Sequence, residues 1–375
     1  MALILLHSER LATVRDTEGN TMRHKNSVFH DLLKHLPWTV FDGLVEAHGA
    51  DRRVRRLSSH AGRLYHLGAQ PVARSTLADA NASRPAAVFS GLFAALVARA
   101  HRGLRRSLAE ATYLIDSTGL RLNGQSRWAR FSAKVCGAKA HVIYDADADC
   151  PIYAAVTPAR INDITAAKDM PIVPGATYVF DLGYYDYRWW AELDAQGCRI
   201  VTRFKANTPL QVIQTLALPE GSAILCDRIG FLPARQARSR RNPMNKAVRE
   251  VRVRTETGKI LRILSNDLDA SAQQIADLYK RRWAIELFFR WVKQTLKITR
   301  FLGASENAVR IQVAVALIAF LLLRLAQATQ QVVQSQLAFA RLVRANLMHR
   351  RRIDQLLEPE PPQPQSTRQL ALKWI

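Results

Sequence analysis

The chain has 375 residues, 48% of them hydrophobic, enough for a sizeable core and two or three domains. Its formal net charge of +23 is spread along the chain, which points to a polyanionic partner, nucleic acid before membrane, and sets aside the shorter, less apolar ribosomal type of basic protein. Four widely spaced cysteines without a CxxC, and histidines without an HExxH, exclude a zinc ribbon and a disulfide framework; they suit free thiols in a reducing cytosol.

The first ten residues, MALILLHSER, are apolar only over 2–6, too short for a signal peptide. Met22 is read as the native start, with 1–21 a non-native or disordered extension. Residues 22–108 read as a helical module. Phe29, Leu32, Leu33 and Leu36 form one apolar stripe, Pro37 breaks it, and Phe41, Leu44 and Val45 begin another. Arg52, Arg53, Arg55 and Arg56 follow as a basic edge, suited to DNA or to solvent alike. Residues 74–108 look helical.

Then the period changes. TYLID (112–116) is a short apolar run ending in Asp116, and TYVFD (177–181) is a second one ending in Asp181. Between them, residues 139–157 read as two strands around an acidic turn. Asp145, Asp147 and Asp149 alternate there like a calcium loop but lack the later Glu, so a solvated turn is preferred. CRIVTRF (198–204) is another strand, and REVRVRTETGKILRIL a hairpin around Thr257-Gly258. From Ala234 to Arg254 eight Lys or Arg face one Glu, with Arg238, Arg240 and Arg241 as candidate DNA contacts. After Ser271, a helix cap, the chain turns helical to about Gln355; no Gly or Pro interrupts 272–301, which predicts one long helix. The apolar run Val313–Leu323 is too short to span a bilayer and reads as a buried core helix. Residues 331–357 are assigned to a C-terminal helix and the Pro-rich 358–375 to a disordered tail.

Within YKRRWAIELFFRWVK (279–293) a single acid, Glu286, stands among five basic residues. On a helix Tyr279, Arg282, Glu286 and Lys293 fall within roughly 60° of one another. Leu287, Phe288 and Trp291 point elsewhere, toward a core. The bland alternative is a surface helix with a Glu286–Arg290 ion pair. Against it stand the two strand-end aspartates, since carboxylates at strand ends occupy the usual ligand edge of an α/β sheet. Asp116, Asp181 and Glu286, without His or Cys company, suit a hard divalent cation, Mg²⁺ with Mn²⁺ as substitute. Asp163 and Asp186 are candidate supports for that site. Trp189 and Trp190 read as core.

The spacing Tyr279-x2-Arg282-x3-Glu286-x6-Lys293 resembles the Y-(2)-R-(3)-E-(6)-K motif of the IS4 family of insertion-sequence transposases, position for position. SNDL (265–268), FLGAS (301–305) and DLGYYDY (181–187) are similar to the family as well, and the resemblance covers roughly residues 22–355. It implies a DDE triad of Asp116, Asp181 and Glu286 and an RNase H-like mixed sheet flanked by helices (109–204 and 266–330). It implies also a β-rich insertion at 205–265 and a small all-α DNA-binding domain at 22–108. It implies Mg²⁺-dependent cut-and-paste transposition through a hairpin, acting on terminal inverted repeats and target DNA. Tyr279, Arg282 and Lys293 would hold end-DNA phosphates, with Arg290 beside them. A homodimer on two element ends, no membrane, and a cytoplasmic, nucleoid-associated location complete the expectation. Family insertions can use a Trp to catch a flipped base; none lies between Trp190 and Trp283, leaving Phe204 or Phe231 as substitutes. The same carboxylates would also serve a metal-dependent nuclease that cuts without joining. A repurposed, inactive DNA-binding protein is the remaining alternative.

Overall fold

The computed structural model describes residues 28–51, 74–104, 111–132, 135–218, 221–237, 240–296, 298, 301–330, 332–347 and 352–356. The start at Met22, the arginines at 52–56, Arg238 and the tail lie outside them. Among the described residues nine strands form one mixed sheet in the order β3-β2-β1-β4-β5-β11-β10-β7-β6. β1 (Thr112–Leu122), β2 (Cys136–Asp145) and β3 (Cys150–Pro158) are an antiparallel meander. β4 (Thr177–Phe180) runs parallel to β1, and β5 (Arg199–Arg203) parallel to β4. This is the mixed sheet expected of an RNase H-like core.

The second half of the sheet continues from β5 without a break. β11 (Ile260–Ser265) pairs antiparallel with β5, then come β10 (Val248–Arg254), β7 (Ile224–Phe231) and the exposed edge strand β6 (Gln211–Thr215). The hairpin between β10 and β11 turns at Gly258, whose φ of 80° only glycine adopts without strain. The short β8 (Arg235–Ala237) and β9 (Arg240–Arg241) pair with each other outside the main sheet.

Helices cover both faces. On one, α5 (Asp163–Ala167) and α6 (Tyr187–Ala195) close a core around Tyr178, Phe180, Trp189 and Trp190, so both tryptophans are core residues. On the other lie α7 (Ala272–Arg281) and α8 (Trp283–Thr295): α7 packs on β4, β5, β7, β10 and β11, and α8 on β1. The 272–301 expectation of one helix is corrected here. Ser271 and Gln274 form a capping box at the start, but the helix tightens at Arg282 and ends at Thr295. The Arg282 N–H bonds back three residues to Tyr279 (3.1 Å) and its carbonyl accepts from Ile285 (3.2 Å), one 3₁₀-like turn between two α-helices.

The apolar run at 313–323 belongs to a longer helix than expected, α9 (Glu306–Ala328), apolar and long enough to cross a membrane by composition alone. It is mostly buried, because α1 (Val28–Leu33), α3 (Arg74–Ser83), α4 (Ala86–Leu104) and α10 (Gln336–Ala345) surround it. Pro85 separates α3 from α4, so 74–104 is two helices rather than one. α2 (Trp38–Ala47) lies against α4 where Gly91 meets Leu44; a methyl there would sit 2.8 Å from the Leu44 side chain. All four cysteines are free and buried.

Candidate active site

Register brings the two aspartates together. Thr112, Tyr113 and Leu114 of β1 pair with Thr177, Tyr178 and Val179 of β4. Carried two residues further, the same offset sets Asp181 beside Asp116, and the common pleat turns both to one face. β4 itself stops at Phe180, because the Asp181 side chain folds back to accept the Gly183 N–H (2.7 Å) and opens a 3₁₀ turn, Leu182–Tyr184. β1 does not end at Asp116 as the TYLID reading expects but runs on to Leu122 as the partner of β2, so Asp116 lies within the strand, where it accepts the Ser117 N–H through Oδ1 at 2.7 Å.

Glu286 arrives from α8. Its carboxylate accepts from Arg282, one turn earlier, and the same guanidinium donates to Asp116 Oδ2 at 3.3 Å. The ion pair is therefore Glu286–Arg282, not the Glu286–Arg290 pair of the bland alternative. Arg290 is exposed and lies against the Trp283 ring. Arg282 sits 5.7 Å from the Tyr279 ring centroid, and Tyr279 also meets Arg203 at the end of β5. Burial pushes the Tyr279 phenol up despite the two arginines. Lys293, two turns beyond Glu286, is half-buried beside Thr118 and Leu120, the positions that follow Asp116 on its face of β1. Burial lowers its pKa.

The electrostatics are unbalanced. Asp116 is pushed up to about 6, first by burial, then by the charges of Asp181 and Glu286; the Ser117 N–H and Arg282 only partly offset them. Asp116 and Glu286 thus share one guanidinium, with the Asp181 charge close to Asp116. By type and number the three carboxylates fit a hard cation held by oxygen. Their present rotamers do not chelate: among the described residues no group of three His, Cys, Asp or Glu side chains converges on one point. Asp116 and Glu286 face Arg282, while Asp181 faces Gly183.

Other expected residues fall elsewhere. Arg240 and Arg241 on β9 line a separate cavity of about 670 Å³ with Lys168, Asp186 and Arg188. Arg240 comes within 3.9 Å of Asp186. Asp186 caps α6 through the Arg188 and Trp189 amides, so it supports that helix and not the carboxylates. Phe204 is buried under the Arg262 guanidinium, which closes its face to a base; Phe231 stays half-buried. The 145–149 turn is held by protein partners: Asp145 accepts two turn amides and pairs with His101, and Asp147 pairs with Arg281. Arg203, Lys139 and His141 were not singled out in the sequence. Their only sequence signal is position, at a strand end or inside a buried strand.

Residues 108–322 match the family described as the transposase DDE domain. Over 311 residues the chain is 38% identical to a putative transposase, y4zB, of Sinorhizobium fredii, covering 82% of this chain and 87% of that one. It is 31% identical over 277 residues to the probable transposase for insertion sequence element IS5377 of Geobacillus stearothermophilus, 72% of either chain. It also overlays 97% of its length on 78% of a piggyBac transposase chain from a synaptic complex with hairpin DNA, at 12% identity and a TM-score of 0.39, too loose to add to the argument. A matched domain spanning both aspartates and the Glu286 helix, with relatives covered over more than two thirds of their length, means that this chain belongs to the DDE transposases of insertion sequences.

Proposed function

We propose that the chain cuts the ends of its own insertion sequence and joins them to target DNA, with Asp116, Asp181 and Glu286 as the reacting carboxylates. The observation that carries this is the β1–β4 register, which sets Asp116 within β1 beside Asp181 at the end of β4, near the helix bearing Glu286. The crowding of Asp116 by the charges of Asp181 and Glu286 supports it, because a bound cation would offset that repulsion.

The three carboxylates would hold Mg²⁺ or Mn²⁺ once Arg282 releases Asp116 and Glu286. Bound there, the metal supplies Lewis acidity for a water or 3′-hydroxyl nucleophile and for the leaving oxygen of a phosphodiester. The chain's own cations do the rest. Arg282, freed from the carboxylates, suits bidentate phosphate binding, and Lys293 beside Thr118 suits a point-charge contact. Tyr279, wedged between Arg203 and Arg282, fixes the direction of both guanidiniums. Arg290, and Arg240 and Arg241 on β9, extend the positive surface along the DNA, and Arg238 is a further proposed DNA contact. Residues 22–108 form an additional DNA-binding module. Cleavage at the element end exposes a 3′-hydroxyl that attacks the opposite strand to give a hairpin, followed by opening and strand transfer. The working form is a homodimer pairing two element ends, in the cytoplasm on the nucleoid.

The test is incubation of the protein with end-labelled DNA flanking its gene and Mg²⁺ or Mn²⁺, beside Asp181→Asn. A metal-dependent cut at a fixed end and a hairpin, both lost in the variant, are expected. Cutting at unrelated sites, lost in the variant, would instead mean a plain nuclease. Binding without cutting would mean an inactive copy.

A further inference from the structure

Asp163 is a fourth carboxylate at the edge of this site, outside the three assigned to the metal. It opens the short helix α5 yet its carboxylate serves other elements, and Asn162, not Asp163, is the residue preceding that helix. Oδ1 accepts from Ser117 Oγ at 2.8 Å and from Lys139 Nζ at 3.0 Å. His141 Nδ1 lies 3.8 Å from the same oxygen, while its Nε2 is tied to Thr157 Oγ1 on β3 at 2.8 Å. Asp163 therefore links β1 to β2 and, through His141, to β3. Its other oxygen faces the turn after β4. A methyl added at Gly183 would lie 3.0 Å from Asp181 Oδ1 and 3.1 Å from Asp163 Oδ2, so both carboxylates close on one small gap. Ser117 follows Asp116 directly, and Gly183 is the residue whose amide holds Asp181. One side chain thus bonds to the residue after Asp116 and faces the turn whose amide holds Asp181.

We propose that Asp163 is a positioning residue: through Ser117, Lys139 and the Gly183 turn it sets the spacing of Asp116 and Asp181 that a shared cation requires. This rests on the metal reading above. Removing the side chain would leave Ser117 and Lys139 without their common acceptor and let the Gly183 turn drift. Filling the gap at Gly183 would push Asp181 away without altering any charged group.

The experiment measures Mn²⁺ binding by titration calorimetry and electron paramagnetic resonance. The proteins are wild type, Asp163→Ala, Asp163→Asn, Gly183→Ala, Asp116→Asn and Asp181→Asn. Melting temperature and metal-free binding of terminal DNA run in parallel. Asp163→Ala and Gly183→Ala should weaken Mn²⁺ about ten-fold or more, as loss of a ligand's supporting hydrogen bond does. Cleavage should slow in kcat rather than KM, while melting and metal-free DNA binding hold. Asp163→Asn keeps an oxygen for Ser117 and Lys139 and should recover most of the affinity. Unchanged Mn²⁺ affinity in Asp163→Ala and Gly183→Ala, with affinity lost in Asp181→Asn, overturns the proposal and leaves the metal site standing. Equal losses in Ala and Asn variants accompanied by lower melting reduce Asp163 to scaffold and overturn it too. Wild-type affinity in both Asp116→Asn and Asp181→Asn sinks the metal reading, and the proposal with it.

Discussion

Two regions of one sheet bury carboxylates and treat them oppositely. In the outer half, Asp227 on β7 takes a bidentate Arg249 from β10, at 2.8 and 2.7 Å. Glu250 next to it receives Arg252 and Arg262 on one oxygen, at 2.7 and 2.6 Å. Burial alone would raise Glu250, but those hydrogen bonds outweigh it and hold its carboxyl below the usual range. Among the described residues, both buried acids there have at least one guanidinium of their own. In the β1–β4 half, Asp116 and Glu286 share Arg282 with the Asp181 charge beside them, and Asp116 is pushed up to about 6. The residue types are the same and the charge balance is reversed. In one half the buried charge is balanced within the sheet, a closed cluster; in the other it is left partly unbalanced, an open one, as the proposed metal reading requires.

The contrast can be broken from either side. The largest effect is expected in the open cluster: Asp116→Asn or Asp181→Asn should cut DNA cleavage by about a thousandfold or more, an amount typical of lost metal-assisted chemistry. Melting temperature should not fall, because neither side chain completes a balanced pair. The closed cluster should behave in reverse. Arg249→Ala strands Asp227 in the interior and should destabilise the fold by about 3–5 kcal/mol in denaturant titrations.

A pH series sharpens the same comparison. Asp116 has a higher pKa in the folded chain than its ordinary carboxylate value, so the folded state binds that proton more tightly. Its contribution to stability is full below the ordinary value and is lost as pH rises through about 6. The metal-free protein should lose on the order of 1–3 kcal/mol across that window. Asp116→Asn should flatten the curve, and saturating Mn²⁺ should reverse its slope. A curve unchanged in Asp116→Asn would refute the open-cluster account. The smallest effects belong to the outlying cations: Lys293→Ala, Arg240→Ala and Arg241→Ala should each weaken terminal-DNA binding and reduce the salt slope by about 1. Equal affinity at all salt concentrations would remove that residue from the DNA surface.

Much of the fold could be read from local pattern. TYVFD is a strand that stops at its Asp, TYLID opens a strand that runs on past its Asp to Leu122, the Thr257-Gly258 hairpin closes as expected, and Ser271 caps its helix. Each depends on side-chain period or turn chemistry, which act over a few residues. The tightening at Arg282 was not legible, since nothing in residues 272–301 breaks a helix locally; Arg282 is drawn across the site by two acids, one of them far away in sequence. Phe204 as a base platform failed for a similar reason: Arg262 is 58 positions away in the chain and reaches its face only once β5 and β11 pair.

By itself, then, the sequence determined most element types and a motif specific enough to name a family, and it singled out the three candidate carboxylates. Those follow from periods of two and 3.6 residues and from spacing along one helix. Tertiary structure alone decided the rest. It continued the outer strands into the same sheet, gave Arg282 rather than Arg290 to Glu286, and set Asp163 between Ser117, Lys139 and Gly183. Strand order and charge balance are sums over distant segments, and no window along the chain contains them.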